Sequence, residues 1–206
     1  MATSNYLIQK VADNKEKGIS YAENFKRYNK AKASEFYLEC LWILYAMIED
    51  RTSAFLYYIG FTSEKKRSSA TGNPIIKNEI REIFGMEKPN AQYKFNTISG
   101  KLIRIKELMR WCKLEHETVS DYQKALIKVL LPIANSSEFE DALDYLESEW
   151  RDKRNQLTHS LFNKNPNAVL AELLPLVDHG YSAARQLDLK IQEIKKANMR
   201  AKFKIQ

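Results

Sequence analysis

"SEFYLECLWILYAMIEDRTSAFLYYI", residues 34–59, is the stretch whose reading decides the fold. Between positions 41 and 48 apolar residues occupy almost every face of a 3.6-residue period, and Gly60 follows as a stop. The stretch therefore predicts the central, most buried helix of the chain. Such a helix needs other helices around it, and the flanking sequence supplies them. "SYAE" at residues 20–23 has the form of a capping box and predicts a basic helix starting there and running toward Lys32. Ser99 is the expected N-cap of "GKLIRIKELMRWCKL", where Leu102, Ile105, Leu108, Met109 and Cys112 repeat at three and four. "SDYQKALIKVLLPIAN" is expected to stop near Pro132. "SEFEDALDYLESEWRDKRNQLTHSLF", opened by a capping box of Ser137 and Glu140, carries the stripe Phe139, Ala142, Leu143, Leu146 and Trp150. A last long helix is expected from about 168 to 196, interrupted at Pro175 and Gly180.

No strand signal and no internal repeat compete with this pattern, so the expected fold is an all-α bundle of about five to seven helices. We expect a single domain over 1–206, with its core at about 34–196, a basic N-terminal helix in 1–33 and a basic C-terminal tail at 197–206. Residues 60–100 differ in character: Gly60, Gly72, Gly85, Gly100, Pro74 and Pro89 all fall there. One short helix, "PIIKNEIREIF", fits with Ile76, Ile80, Ile83 and Phe84 on one side. The remainder, "TSEKKRSSATGN" and "GMEKPNAQYKFN", reads as loop. This loop-rich insertion suits substrate contacts or serves as an inert excursion; its composition fits both.

Thirty-three Lys and Arg against 26 Asp and Glu leave a net charge of +7, concentrated toward both ends of the chain. Such a surplus suits a polyanionic partner, because each neutralised phosphate releases counterions, and equally suits a plain soluble surface. Cys40 and Cys112 stand apart among apolar neighbours and read as buried thiols of a reducing compartment. The opening "MATSNYLIQKVADNKEKG" lacks the apolar run of a signal peptide, and "CLWILYAMI" is too short to cross a bilayer. A cytoplasmic protein with no membrane partner is expected. No His, Cys, Asp or Glu set has ligand spacing and no glycine-rich phosphate loop is present, so neither a metal nor another cofactor is expected.

The chemistry concentrates in "RDKRNQLTHSLF", residues 151–162. Arg154 and His159 are five residues apart, so in an ideal helix their Cβ atoms diverge by about 140°. Both reach one site only if the helix ends or deforms between them, or if the length of arginine makes up the difference. Asn155 and Thr158 are the residues able to loosen that turn through local hydrogen bonds. Histidine can take or give a proton near neutral pH, and arginine can clamp a phosphate through two parallel hydrogen bonds. Together they supply a base for a ribose 2′-hydroxyl and a cation for charge developing on phosphoryl oxygens.

The segment "RNQLTH", residues 154–159, in an all-α chain and followed by one more helix, resembles the R-x-x-x-x-H motif of the HEPN superfamily. Members are often RNases of toxin–antitoxin, CRISPR and anti-phage systems, and often carry a polar residue, frequently asparagine, after the arginine. The resemblance implies a homodimeric bundle in which two motifs meet in a composite cleft and cut RNA without metal, leaving a 2′,3′-cyclic phosphate. On it, Arg154 holds the scissile phosphate, His159 is the general base or acid and Asn155 orients the pair. An antitoxin or defence-system partner protein is implied as well. Where some family toxins carry a modifiable tyrosine three residues after the histidine, this chain has Phe162.

The family also places polar residues on an earlier helix near the cleft. Glu49, Asp50 and Arg51, which interrupt an otherwise apolar helix, fit that place, and equally fit a simple end to the buried stretch with Glu49 paired to a basic residue. Arg110 and His116 meet a looser version of the spacing, but Trp111 occupies the second position and two further helices follow. His116 reads as a surface residue between Glu115 and Glu117, and His179 as a helix-end residue. Two other readings of the whole chain remain open: a catalytically silent helical module binding RNA, a nucleotide or a protein, and an adaptor in which Arg151, Lys153 and Arg154 merely complement a helix C-terminus.

Overall fold

The computed structural model of the chain describes residues 14–62, 73–85, 95, 97–117, 119–160, 163 and 165–205. Its elements are α1 (Asn14–Ala33), α2 (Tyr37–Tyr58), α3 (Pro74–Ile83), α4 (Ile98–Cys112), α5 (Asp121–Ala134), α6 (Ser137–Tyr145), a π turn (Leu146–Trp150), α7 (Arg151–Ser160), α8 (Pro166–Lys196) and the single turn α9 (Met199–Lys202). The π turn joins α6 and α7 into one rod. Counted so, the described residues form an all-α bundle of seven helices plus that last turn, as the apolar periodicity predicts.

α2 is the axis. Leu44 lies beside Gly180 and Arg51 pairs with Asp188 at 2.8 Å, so α8 runs parallel to α2. α1 is antiparallel to α2, with Tyr21 bonded to Asp50 at 2.8 Å and Arg27 paired to Glu39. The α6–α7 rod is antiparallel on another side: Phe139 stacks near Phe55 and Arg154 lies over Tyr45. α4 packs outside the rod through Lys113–Glu140 and Lys106–Asp144. The expected stripe Phe139, Ala142, Leu143, Leu146 and Trp150 is buried throughout, as are Leu102, Ile105, Leu108, Met109 and Cys112.

Several boundaries move from their expected places, each for a local reason. α1 is already helical at Asn14, so Ser20 sits inside it; Tyr21, Phe25 and Tyr28, spaced four and three, pack against the core and extend the helix past its apparent cap. α4 is capped by Thr97, extended at φ −120° and accepting from Gly100 N at 3.0 Å, whereas Ser99 Oγ accepts from Arg151 instead. Ser136 rather than Ser137 caps α6: adjacent serines can both do so, and the helix takes the first. α5 runs past Pro132 because Ile133 and Ala134 bury beyond it, offsetting the lost hydrogen bond.

α8 likewise passes Pro175 and Gly180 unbroken, with Leu173, Leu176 and Val177 buried around the proline. Gly180 is not a break but a contact point: a Cβ there would lie 2.5 Å from Trp150 Nε1. Within the expected insertion, α3 contributes Ile76, Ile80 and Ile83 to the core together with Phe95, while residues 63–72 and 86–94 lie outside the described set. The expected boundaries of the core also widen. Tyr28 and Ala31 of α1 are buried, and so are Met199 and Ile205 at the C-terminal end. Arg200 donates to the carbonyls of Tyr57 and Thr62, and Ile205 meets Gly60 (φ +93°), so this stretch is docked. Cys40 and Cys112 are free, buried thiols, and burial pushes Cys112 up to about 12. No helix among the described residues is long and apolar enough to cross a membrane.

Candidate functional site

α7 carries the motif. In its interior Leu157 is buried, which turns Asn155 and His159, four apart and therefore neighbours on the helix surface, away from the core. Arg154 lies on the flank between these faces, about 100° around the helix from Asn155. The helix neither ends nor unwinds between Arg154 and His159, as a local deformation there would require. The deformation lies upstream instead. The extra residue in the Leu146–Trp150 turn rotates everything after it relative to a continuous α-helix.

The length of arginine carries its guanidinium to the cleft that His159 also lines. The Arg154 guanidinium lies over the Tyr45 ring, 4.5 Å from its centroid, and 5.5 Å from that of Trp150. Its Nη2 donates to Asn155 Oδ1 at 2.5 Å. Asn155 thus links the arginine to the face that bears His159. A planar cation held by a ring and a carbonyl oxygen is pre-oriented, which a freely rotating lysine would not be.

Opposite α7, the N-terminal half of α2 supplies Leu38, Leu41, Trp42 and Tyr45. With Arg154, Asn155 and His159 these enclose an open cleft of about 390 Å³. Among the described residues no carboxylate lines it. The imidazole of His159 is exposed to this cleft rather than sealed in the bundle. The three motif residues are therefore brought together with two aromatic rings that sequence pattern did not single out. The available signal was weak: Trp42 falls off the buried series Cys40, Leu44, Met47 and Ile48, but so many faces of α2 are apolar that the one left outside is hidden.

Glu49, Asp50 and Arg51 are not brought to this cleft. Glu49 lies 3.8 Å from the buried Lys101, whose amine donates to Ser53 Oγ at 2.8 Å. Asp50 and Arg51 join a network between α1, α2 and α8: Arg51 reaches Asp50 (2.6 Å), Asp188 (2.8 Å) and the Tyr21 hydroxyl (2.7 Å). Burial, and then the Asp50 carboxylate, pushes the Tyr21 phenol far above its ordinary value.

The neighbouring basic residues are held by carboxylates. Arg151 is tied to Glu147 (3.1 Å), Asp152 (3.0 Å) and also Ser99, and Lys153 to Glu149 (2.6 Å). They stand at the start of α7, in mid-rod, so they do not complement a helix C-terminus. His116 is half-buried, not a free surface residue: its ring packs on Trp111 at 4.3 Å and Nε2 lies 2.9 Å from the Trp111 carbonyl. His179 is exposed inside α8 against Tyr145, not at a helix end. Among the described residues no group of three or more His, Cys, Asp or Glu side chains is arranged to hold a metal ion. Comparison with protein-family models, curated proteins and solved structures finds no match to the chain.

Proposed function

We propose that the chain is a metal-independent endoribonuclease of HEPN type that works as a homodimer, in the role of a toxin or anti-phage defence effector restrained by a partner protein. The observation that supports this reading is the convergence of Arg154, Asn155 and His159 on one cleft whose described lining holds no carboxylate. A phosphodiester entering it meets a guanidinium already oriented by Tyr45 and Asn155. The neutral imidazole of His159 takes the proton of the ribose 2′-hydroxyl, and the 2′-oxygen attacks phosphorus. The bond to the 5′-oxygen breaks, leaving a 2′,3′-cyclic phosphate, and that oxygen takes a proton from an acid.

The described lining of one chain's cleft offers one imidazole, and the reaction uses a base and an acid. A two-fold axis at the cleft supplies the second from another copy of the same residue. Arg154 faces the charge that grows on the non-bridging oxygens.

The test is RNA cleavage by the purified chain in excess EDTA. Cleavage with cyclic phosphate ends is expected, falling by about 10²- to 10⁴-fold in His159→Ala and comparably in Arg154→Ala, with unchanged circular dichroism. Full cleavage by both variants, or RNA left intact by the wild-type chain, overturns the reading. Sedimentation at micromolar concentration is expected to show a dimer.

A further inference from the structure

Catalysis at Arg154 and His159 uses Tyr45 of the other wall and leaves the outer part of that wall without a purpose. That wall is α2, and its outermost member is Trp42, 73% exposed and the most exposed large apolar side chain among the described residues. The indole does not stack on its neighbour. Tyr45 meets it edge-on at 6.3 Å and 72°, and keeps its own face for the Arg154 guanidinium. A flat, uncovered aromatic surface thus stands beside a cation and an imidazole. Trp42 also borders a second cleft, of about 430 Å³, between α1 and α2, but there Glu39 and Asp50 outnumber the single cation Arg27, which is itself paired with Glu39. An anion is therefore favoured on the α7 side of the indole.

We propose that this cleft takes unpaired, single-stranded RNA, one base stacking on Trp42 while the adjoining phosphate lies at Arg154 and His159. Every base has a π-face, so stacking of this kind holds single strands without demanding a sequence. In a duplex those faces are covered by neighbouring pairs, and an A-form groove does not admit the indole to them. Charge decides between RNA and a protein occupant: the polar lining is a cation, an imidazole and an amide, which complements a phosphate. The inference rests on the nuclease reading only for where the phosphate sits.

Tryptophan emission tests it. Trp150 is 1% exposed and Trp111 is half-buried against His116, so Trp42 is the indole open to direct contact with an added ligand, and Trp42→Phe separates its signal from that of Trp150 beneath Arg154. The full-length His159→Ala chain is titrated with an unstructured 12-nucleotide RNA and with the same sequence as a duplex. Saturable quenching by the single strand is expected, with the duplex at least tenfold weaker. Trp42→Phe should abolish the signal, and Trp42→Ala should weaken binding about 5- to 100-fold, the equivalent of one lost base stack. Equal affinity for duplex and single strand, or unchanged binding in Trp42→Ala, overturns the proposal. So does a change of Trp42 emission that follows protein concentration and not RNA, since the indole would then be covered by a second copy. Stacking without cleavage by the wild type would sink the nuclease reading and leave this one standing; cleavage with no contribution from Trp42 would do the reverse.

Discussion

Gly180→Ala probes the packing on which Arg154 rests. A Cβ at this position would come within 2.5 Å of Trp150 Nε1, 3.0 Å of its Cδ1 and 3.5 Å of Leu44 Cδ1. The first separation is closer than real Cβ atoms approach anything, and Trp150 is only 1% exposed, so the indole has to move within a filled core. Two effects oppose each other. Alanine is favoured over glycine inside a helix by about 0.8–1 kcal/mol, whereas overpacking a filled site costs about 1–3 kcal/mol. Gly18, exposed in α1, isolates the first effect, because a Cβ added there would meet nothing within 4 Å. Gly18→Ala should therefore raise stability by about 0.8–1 kcal/mol, and the two variants should differ by about 1–3 kcal/mol, because the helix preference cancels between them. Urea unfolding at neutral pH measures both, provided the m-values agree. Equal stabilisation by the two substitutions would refute the closeness of α8 to the indole. Movement of the ring should also lower RNA cleavage by Gly180→Ala, since the same indole lies under the Arg154 guanidinium.

Arg51→Ala should cost about 2–3 kcal/mol in the same assay, below the full range for a broken buried pair because Asp50 and Asp188 keep about a quarter of their side-chain exposure. Stability should fall in alkali. Burial raises the folded-state values of Cys112, to about 12, and of Tyr21, Tyr28, Tyr122 and Tyr145. The unfolded chain releases these protons from about pH 9–10 while the folded chain retains them, so the contribution is complete below that range and is lost above it; unfolding midpoints at about pH 8 and about pH 10.5 check this, and equal values would contradict it. Tyr45→Phe should retain cleavage, because the ring face remains, whereas Tyr45→Leu should lose about 2- to 30-fold, the equivalent of a cation–π contact of about 0.5–2 kcal/mol; equal activity of the two would show that the ring face does not position Arg154.

Most of the bundle was legible because burial repeats at three and four along each helix, and those stripes are the core. Boundaries were less legible. Ser136 beside Ser137, and Thr97 two residues from Ser99, offer alternative caps that local pattern ranks poorly, and Pro132 and Pro175 break helices only where tertiary burial does not hold both sides. At the candidate site the contrast is sharper. Arg154, Asn155 and His159 lie within six residues of one helix, so the motif that singles them out is local in sequence. Trp42 and Tyr45 cannot, because only the placement of α7 against α2 decides which apolar face of α2 stays outside. Gly180 resembles a break for a similar reason: without Trp150 opposite, a glycine in a helix looks like weakness.

These residues explain each other. A separation of five sets Arg154 and His159 on diverging faces of a regular helix, and α7 is regular across them. Asn155 lies next to the arginine in sequence and four residues before the histidine, so it neighbours both. Its Oδ1 draws the guanidinium around the helix, and Tyr45 supports the cation from the opposite wall. Upstream, the π turn ends at Trp150, which closes against the bare backbone of Gly180 and so sets the rotation with which α7 emerges. An asparagine after the arginine thus ties the guanidinium toward the face that bears the histidine without bending the helix that carries them.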